Sequence, residues 1–246
     1  MKHFLVAVHF LTIIRLPGAP RFSPELIGAS ATHFPIVGLL LGLALVLCNR
    51  LLEACVPPAI LSVALVLIMT LLTRAFHLDG LADTFDGLGA KGDRQDALKA
   101  MRDSSTGVFG MVAVVIVLSL KFKSLELIRE LRVPALLLSP VLGRWAMLVL
   151  AHNSTSPAEG LGRILIEHMQ SRHLILGSLF TSILSLMIMG IFGLWMLLSA
   201  FLLTWTMRRH FHRRIGGVTG DTCGAIGEIT ESLIFMIFAL LEWNRP

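Results

Sequence analysis

The sequence predicts an all-α, polytopic integral membrane bundle of about seven membrane helices, plus a short N-terminal helix that is interfacial or re-entrant. Three observations predict it. Of 246 residues, 55% are hydrophobic and 15% charged, with a mean hydropathy of +0.78, more apolar sequence than a water-soluble domain needs. Several apolar runs approach the roughly 17–25 residues that span a bilayer. Dense carboxylates then follow one of those runs, an arrangement that marks a functional edge rather than a solvated surface. We read residues 1–246 as one membrane-embedded domain.

Residues 3–16 are apolar but short and stop at Pro17-Gly18-Ala19-Pro20. A thin positive region and no small-x-small cleavage site argue against a secretory signal, so a surface or re-entrant helix is expected. Residues 21–32 read as a polar connector. The first span is Phe34 to Leu52, with Gly38 and Gly42 spaced for close helix packing. Pro57-Pro58 opens the second helix, which runs from Ala59 to about Thr73 and is expected either to end there or to continue through Asp86. A polar loop, Ala90 to Ser105, precedes a third span from Gly107 to Leu120. Lys121 to Arg132 reads as a charged connector, partly buried or outside, before the fourth span, Val133 to Ala151. The loop His152 to Arg172 leads to spans at Leu174–Met189 and Phe192–Met207, with a tight turn at Gly190 and Gly193. A last helix runs from about Thr222 to Trp243.

The net charge of +5 fits basic loops on one side of a membrane. With the aspartate loop inside, fourteen of the 21 Lys and Arg residues fall inside, six outside, and Arg144 within the membrane. Tyrosine is absent and aromatics are 7%, so nucleic acid is not an expected partner; the lipid bilayer is. Cys48, Cys55 and Cys223 form no ligand-spaced pair, and neither a disulfide nor a zinc site is expected.

The organising stretch is His77-Leu78-Asp79-Gly80-Leu81-Ala82-Asp83-Thr84-Phe85-Asp86-Gly87. Asp79, Asp83 and Asp86 fall at i, i+4 and i+7, on one helical face. Three carboxylates on one stripe repel unless a cation holds them, and a hard divalent ion such as Mg2+ on substrate phosphates is the expected occupant. His77 is either a proton carrier or a hydrogen-bonding neighbour. Arg102-Asp103-Ser104-Ser105-Thr106-Gly107 precedes the third span. Its hydroxyls are either helix caps or, with free N–H groups, a phosphate site. In the latter case Asp103 adds a fourth metal carboxylate, and Arg102, Ser104 and Ser105 bind substrate. Thr219-Gly220-Asp221-Thr222-Cys223-Gly224-Ala225 opens the last helix, so Gly220 and Thr222 are candidate substrate contacts. Asp221, Glu228 and Glu231 share a face further along; they serve as ligand or base, or form a buried pair with Arg144. An unpaired Arg144 in mid-membrane costs about 2.5–3.5 kcal/mol. The run Arg208 to Arg214 is either a membrane anchor or, with Arg213 as a substrate contact, a site that captures an anionic nucleotide.

These motifs resemble the cobalamin synthase family, the adenosylcobinamide-GDP ribazoletransferases. The residues that carry the resemblance are Phe76-His77-Leu78-Asp79-Gly80-Leu81-Ala82-Asp83 with Asp86-Gly87, Met101-Arg102-Asp103-Ser104, Gly160-Leu161-Gly162, and Thr219-Gly220-Asp221-Thr222 with Gly224-Ala225. The match runs from near Arg15-Leu16-Pro17 to the last helix, with Ile14 standing where the family often has threonine. The resemblance implies an inner-membrane, magnesium-dependent enzyme with its site facing the cytoplasm. Its substrates would be adenosylcobinamide-GDP and alpha-ribazole or its 5'-phosphate, and GMP would leave. It further implies Asp79, Asp83, Asp86 and Asp103 as metal ligands, and Asp83, Asp221, Glu228 and His77 as the catalytic set. A second copy of the chain and other cobalamin-assembly enzymes are its candidate protein partners. CDP-alcohol phosphotransferases share Asp-Gly-x-x-Ala but usually place arginine where Asp83 stands. Membrane prenyltransferases typically carry their paired aspartates twice, and a transporter would show inverted repeats.

Overall fold

The computed structural model describes residues 2–18, 20 and 22–244. Among these residues the chain is helical, without strands. Arg21 and Arg245, both counted above for topology, lie outside the described residues. The helices are α1 (Lys2–Leu11), α2 (Pro24–Ser30), α3 (Phe34–Leu52), α4 (Pro58–Leu72), α5 (Phe76–Gly89), α6 (Arg94–Met101), α7 (Val108–Leu127), α8 (Arg132–Ala151), α9 (Leu161–His168), α10 (Ser171–Met189), α11 (Ile191–Arg214) and α12 (Gly220–Trp243). Six stretches are long and apolar enough to cross a membrane: Pro24–Leu52, α7, α8, α10, α11 and α12. The bent pair α4 and α5 makes a seventh if taken as one span.

Helix α8 is the axis. Of its apolar window 78% is buried, against 22% for α10 and α11, which form the rim. Ile175, Leu179, Ile183, Trp195 and Leu202 on that rim are exposed, as expected where the solvent is lipid. Gly38 and Gly42 pack α3 against α8 as their spacing predicts; a Cβ on Gly38 would stand 2.5 Å from the Pro140 carbonyl oxygen, and one on Gly42 2.7 Å from that of Leu136. Pro140 lies inside α8 and has no N–H to offer the Leu136 carbonyl. The predicted turn at Gly190 is present, with φ +57, and lets α11 fold back along α10.

Of the two courses expected for the second helix, the structure takes the first: α4 ends at Leu72, and α5 leaves it at 88°. Three expectations need correction. Lys121 to Arg132 is not mainly a connector, because α7 runs on to Leu127 and buries Lys121. Its charge is neutralised within the bundle, so the helix need not stop there. Residues 21–32 contain α2, whose start is capped by the Ser23 side chain accepting from the Leu26 amide. The 152–172 loop contains α9. The N-terminal apolar segment is a ten-residue helix, too short to span, whose buried face carries Val6, Ala7, Val8 and Leu11.

Loop contacts sort the helix ends into two groups. At one end Glu242 accepts from the Glu130 and Leu131 amides, both at 3.1 Å. At the other end Arg214 donates to the carbonyls of Ala90, Gly92 and Asp93, and the Val218 amide donates to Thr155 at 2.8 Å. All three aspartates of α5 belong to this second end. Replacing Gly38 by alanine should push α3 off α8 and lower stability by about 1–3 kcal/mol, the usual range for overpacking. A thermal melt in detergent reads this directly, and an unchanged midpoint would contradict the close approach.

Candidate active site

The site begins at the break between α4 and α5. The Thr73 hydroxyl donates to the Met69 and Thr70 carbonyls and closes α4. Arg74 and Ala75 then both take φ +55, a left-handed conformation that costs a non-glycine residue about 1–3 kcal/mol. The two together turn the chain so that α5 crosses the first turns of α12. That crossing is close: a Cβ on Gly80 would stand 2.8 Å from the Asp221 carbonyl oxygen, and one on Gly224 3.1 Å from the Cα of His77. Asp79 and Asp83 are thereby brought beside Asp221. Asp83 is half-buried and lies in the field of Asp221, Asp79 and Asp86. Asp79 is exposed and sits in the first turn of α5, where the helix dipole favours it. The stripe therefore runs the length of α5 instead of crowding its negative end.

Asp86 does something the spacing alone does not show. Its Oδ2 accepts from the Gly107 amide at 2.7 Å and its Oδ1 from the Gly110 amide at 2.8 Å. Gly107 is the N-cap of α7 and has no side chain to cap with, so Asp86 caps that helix from a neighbour. Asp103 is exposed; the Ser105 amide, 2.9 Å away, holds its carboxyl below the usual range. Asp86, Asp103 and Ser105 line one cavity of about 430 Å³. Arg102 and Ser104 are exposed in the same loop.

The two glycine-rich motifs meet. A Cβ on Gly162 would stand 2.5 Å from the Cα of Gly220, so the start of α9 rests on the start of α12. Thr222 is buried, its amide donating to Thr219 Oγ1 and its hydroxyl accepting from the Thr219 amide in a capping box. Of the arginine run, Arg214 clamps the loop after α5, Arg209 lies over the Trp205 ring at 3.5 Å, and Arg213 is exposed.

Glu228 and Glu231 lie deeper. Seven residues of helix put Glu228 about 10 Å along α12 from Asp221. Lys121 Nζ reaches Glu228 Oε2 at 2.6 Å and Glu231 Oε2 at 2.5 Å. Arg144 Nη1 pairs with Glu231 Oε1, and Arg144 Nη2 lies 3.4 Å from His77 Nδ1. All five side chains are buried. Of the two readings of the α12 glutamates, the geometry realises the buried pair with Arg144. Lys121 is the member of this buried cluster that sequence reasoning missed, and a signal for it existed. Gly110, Ala113, Val117, Lys121 and Ser124 recur at helical spacing and form the buried face of α7.

Among the described residues, no three His, Cys, Asp or Glu side chains converge tightly enough to hold a metal alone. That donor set still suits Mg2+, which keeps waters and is usually held by one or two carboxylates plus substrate phosphates. The exposed Asp79 and the half-buried Asp83 and Asp221, which repel one another, supply hard oxygens at an open edge.

The family model described as cobalamin-5-phosphate synthase matches residues 3–239. A protein from Syntrophobacter fumaroxidans named adenosylcobinamide-GDP ribazoletransferase is 38% identical over 245 residues, covering 98% of this chain and 99% of that one. Proteins of the same name from Geotalea daltonii (36% over 237 residues, 96% of each chain) and Pseudomonas fluorescens (40% over 249 residues, 98% and 100%) are also similar. No solved structure matches the chain at a significant level.

Two variants separate the roles inside the site. Asp86→Ala should lower stability by about 0.5–2 kcal/mol through the lost cap, read as a thermal shift in detergent, and an unshifted midpoint would remove the cap from the account. Lys121→Met should cost more, about 3–5 kcal/mol, because two buried glutamates are left with one cation. Lys121→Met combined with Glu228→Gln should recover part of that loss, and a double variant less stable than the single one would contradict the pairing.

Proposed function

The chain belongs to the cobalamin-5-phosphate synthase family and is a membrane-embedded transferase of cobalamin biosynthesis, and on that premise we propose its substrates, metal and chemistry. The corrinoid donor is adenosylcobinamide-GDP, and the acceptor is alpha-ribazole or its 5'-phosphate. The observation that carries this reading is the meeting of Asp79 and Asp83 on α5 with Asp221 on α12 at one open edge of the bundle. A ribose hydroxyl oxygen of the acceptor attacks the phosphorus on the cobinamide side. A new O–P bond forms, the bridging P–O bond breaks, and its electron pair leaves with GMP. Asp83 or Asp221 takes the hydroxyl proton; both stand at the edge, whereas Glu228 is engaged by Lys121.

Asp79 and Asp83 would hold Mg2+, with Asp221 opposite and Asp86 and Asp103 on the adjoining cavity. When bound, the ion supplies positive charge to the pyrophosphate. The chain's own share is positioning. Asp86 fixes the start of α7, Thr219 and Thr222 fix the start of α12, and Arg214 fixes the loop after α5. The exposed hydroxyls of Ser104 and Thr106 and the exposed Arg102 and Arg213 stand ready for phosphate oxygens.

The aspartate end faces the cytoplasm of the inner membrane in this reading. The excess of basic residues on that side supports it, and burial of Lys121 removes one charge from the opposite side.

Purified protein in liposomes with adenosylcobinamide-GDP, alpha-ribazole 5'-phosphate and magnesium should release GMP and form the joined corrinoid. Chelation should stop it, and Asp83→Asn should slow it by about 100-fold or more while leaving the melting temperature in place. Folded protein that releases no GMP with either acceptor would sink the substrate assignment; full activity of Asp83→Asn would sink the role of that carboxylate.

A further inference from the structure

A second cavity, about 530 Å³, opens beside Asp79 between α1, the α4–α5 break and the start of α9. Two arginines line it, Arg15 and Arg74. Among the described residues the Arg74 guanidinium has no hydrogen bond or ion pair. It sits on a left-handed residue at the break, the kind of strained position that persists where a ligand is clamped. Arg15 is held in place: its Nη1 donates to the His9 carbonyl at 3.1 Å, and His9 Nε2 accepts from the Leu16 amide at 2.7 Å. Its other donors remain available. The rest of the wall is aromatic and apolar, with Phe10, Phe22, Phe76 and Leu161. Phe22 and Phe76 are 42% and 52% exposed, so their ring faces are open to a planar group.

Size excludes the corrin ring, and the terminal phosphate separates the acceptor from the donor's guanosine arm, whose phosphates are both bridging. The volume lies in the range that small ligands occupy, about 300–1,000 Å³. A nucleoside monophosphate fits it, whereas a corrin ring with its amide arms and adenosyl group needs more room. Charge and shape agree: two guanidiniums suit a terminal phosphate, and phenylalanine faces suit a fused aromatic base. Asp79 forms part of the same wall, so a ribose held between these two subsites faces the aspartate stripe.

We propose that this cavity is the acceptor site, in which Arg74 and Arg15 bind the 5'-phosphate of an aromatic nucleoside monophosphate and the phenylalanines bind its base. The proposal rests on the transfer reaction described above. It makes Arg74 a specificity-determining residue for the phosphorylated acceptor. The same two arginines would also suit a phospholipid headgroup, so the tests are run in vesicles of neutral phosphatidylcholine and again with anionic phosphatidylglycerol added.

The test compares the KM for alpha-ribazole 5'-phosphate with that for alpha-ribazole. Arg74→Gln should raise their ratio about tenfold or more, Arg74→Lys should restore most of it, and the KM for adenosylcobinamide-GDP should not follow. A ratio unchanged in Arg74→Gln, or a rise confined to the corrinoid, overturns the proposal. So does an effect of the arginine seen only as lost competition by phosphatidylglycerol. Absence of GMP from wild-type protein would instead count against the transfer reaction. Equilibrium binding of alpha-ribazole 5'-phosphate then tests the cavity by itself: affinity about tenfold weaker in Arg74→Gln upholds the site, and equal affinity removes it.

Discussion

Lys121 and Arg144 face Glu228 and Glu231 in the buried interior of the bundle, and each of the four charges depends on another of them for a partner. Taking charges out of water costs several kcal/mol per ion, and each must find its partner inside. Lys121 reaches both glutamates, and Arg144 takes the second of them. One cluster therefore fixes the rotation of α7, α8 and α12 about their own axes, since a turn of any one would strand a charge in an apolar interior. Arg144 also touches His77, which extends the constraint to α5. The balance of two cations and two carboxylates makes this a device of specificity more than of net stability.

Upon this base the carboxylates divide their work by depth. Those in the interior, Glu228 and Glu231, hold helices together. Asp86, half-buried like Asp83 and Asp221, spends both oxygens on the Gly107 and Gly110 amides at the start of α7. Asp79, Asp83 and Asp221, at the open edge, have charge left over for a ligand. The close crossing at Gly80 and Gly224 is what brings the last three side by side. The same crossing requires α5 to leave the direction of α4, and the left-handed pair Arg74 and Ala75 makes that turn. The turn in turn opens the wall of the cavity beside Asp79. Core charge, helix crossing, bend and cavity are thus consequences of one another, and the substrate sites lie where the bundle's interior constraints end.

Much of the fold was legible in the residues. Six apolar runs, Gly38 and Gly42 against α8, Pro58 at the head of α4 and Gly190 at the α10–α11 turn all appear where periodicity and turn chemistry put them. The failures share a cause. Lys121 looked like the end of a span because a lysine alone in lipid is costly, and only its two partners, more than 100 residues away, make it tolerable. The bend before Phe76 carries neither glycine nor proline at its left-handed positions, so local chemistry gave no warning.

The sequence by itself determined that this is a helical membrane protein with carboxylates gathered at one edge, because hydropathy and the spacing on α5 are local properties. Its motifs also point to the family. The tertiary structure decided which carboxylates are free and which are spent. Asp86 and Glu228 look as available as Asp83 along the chain, and they differ only in what α7 places opposite them. Whether an acid is a ligand, a cap or half of an ion pair depends on partners brought from distant sequence, and no local pattern encodes that.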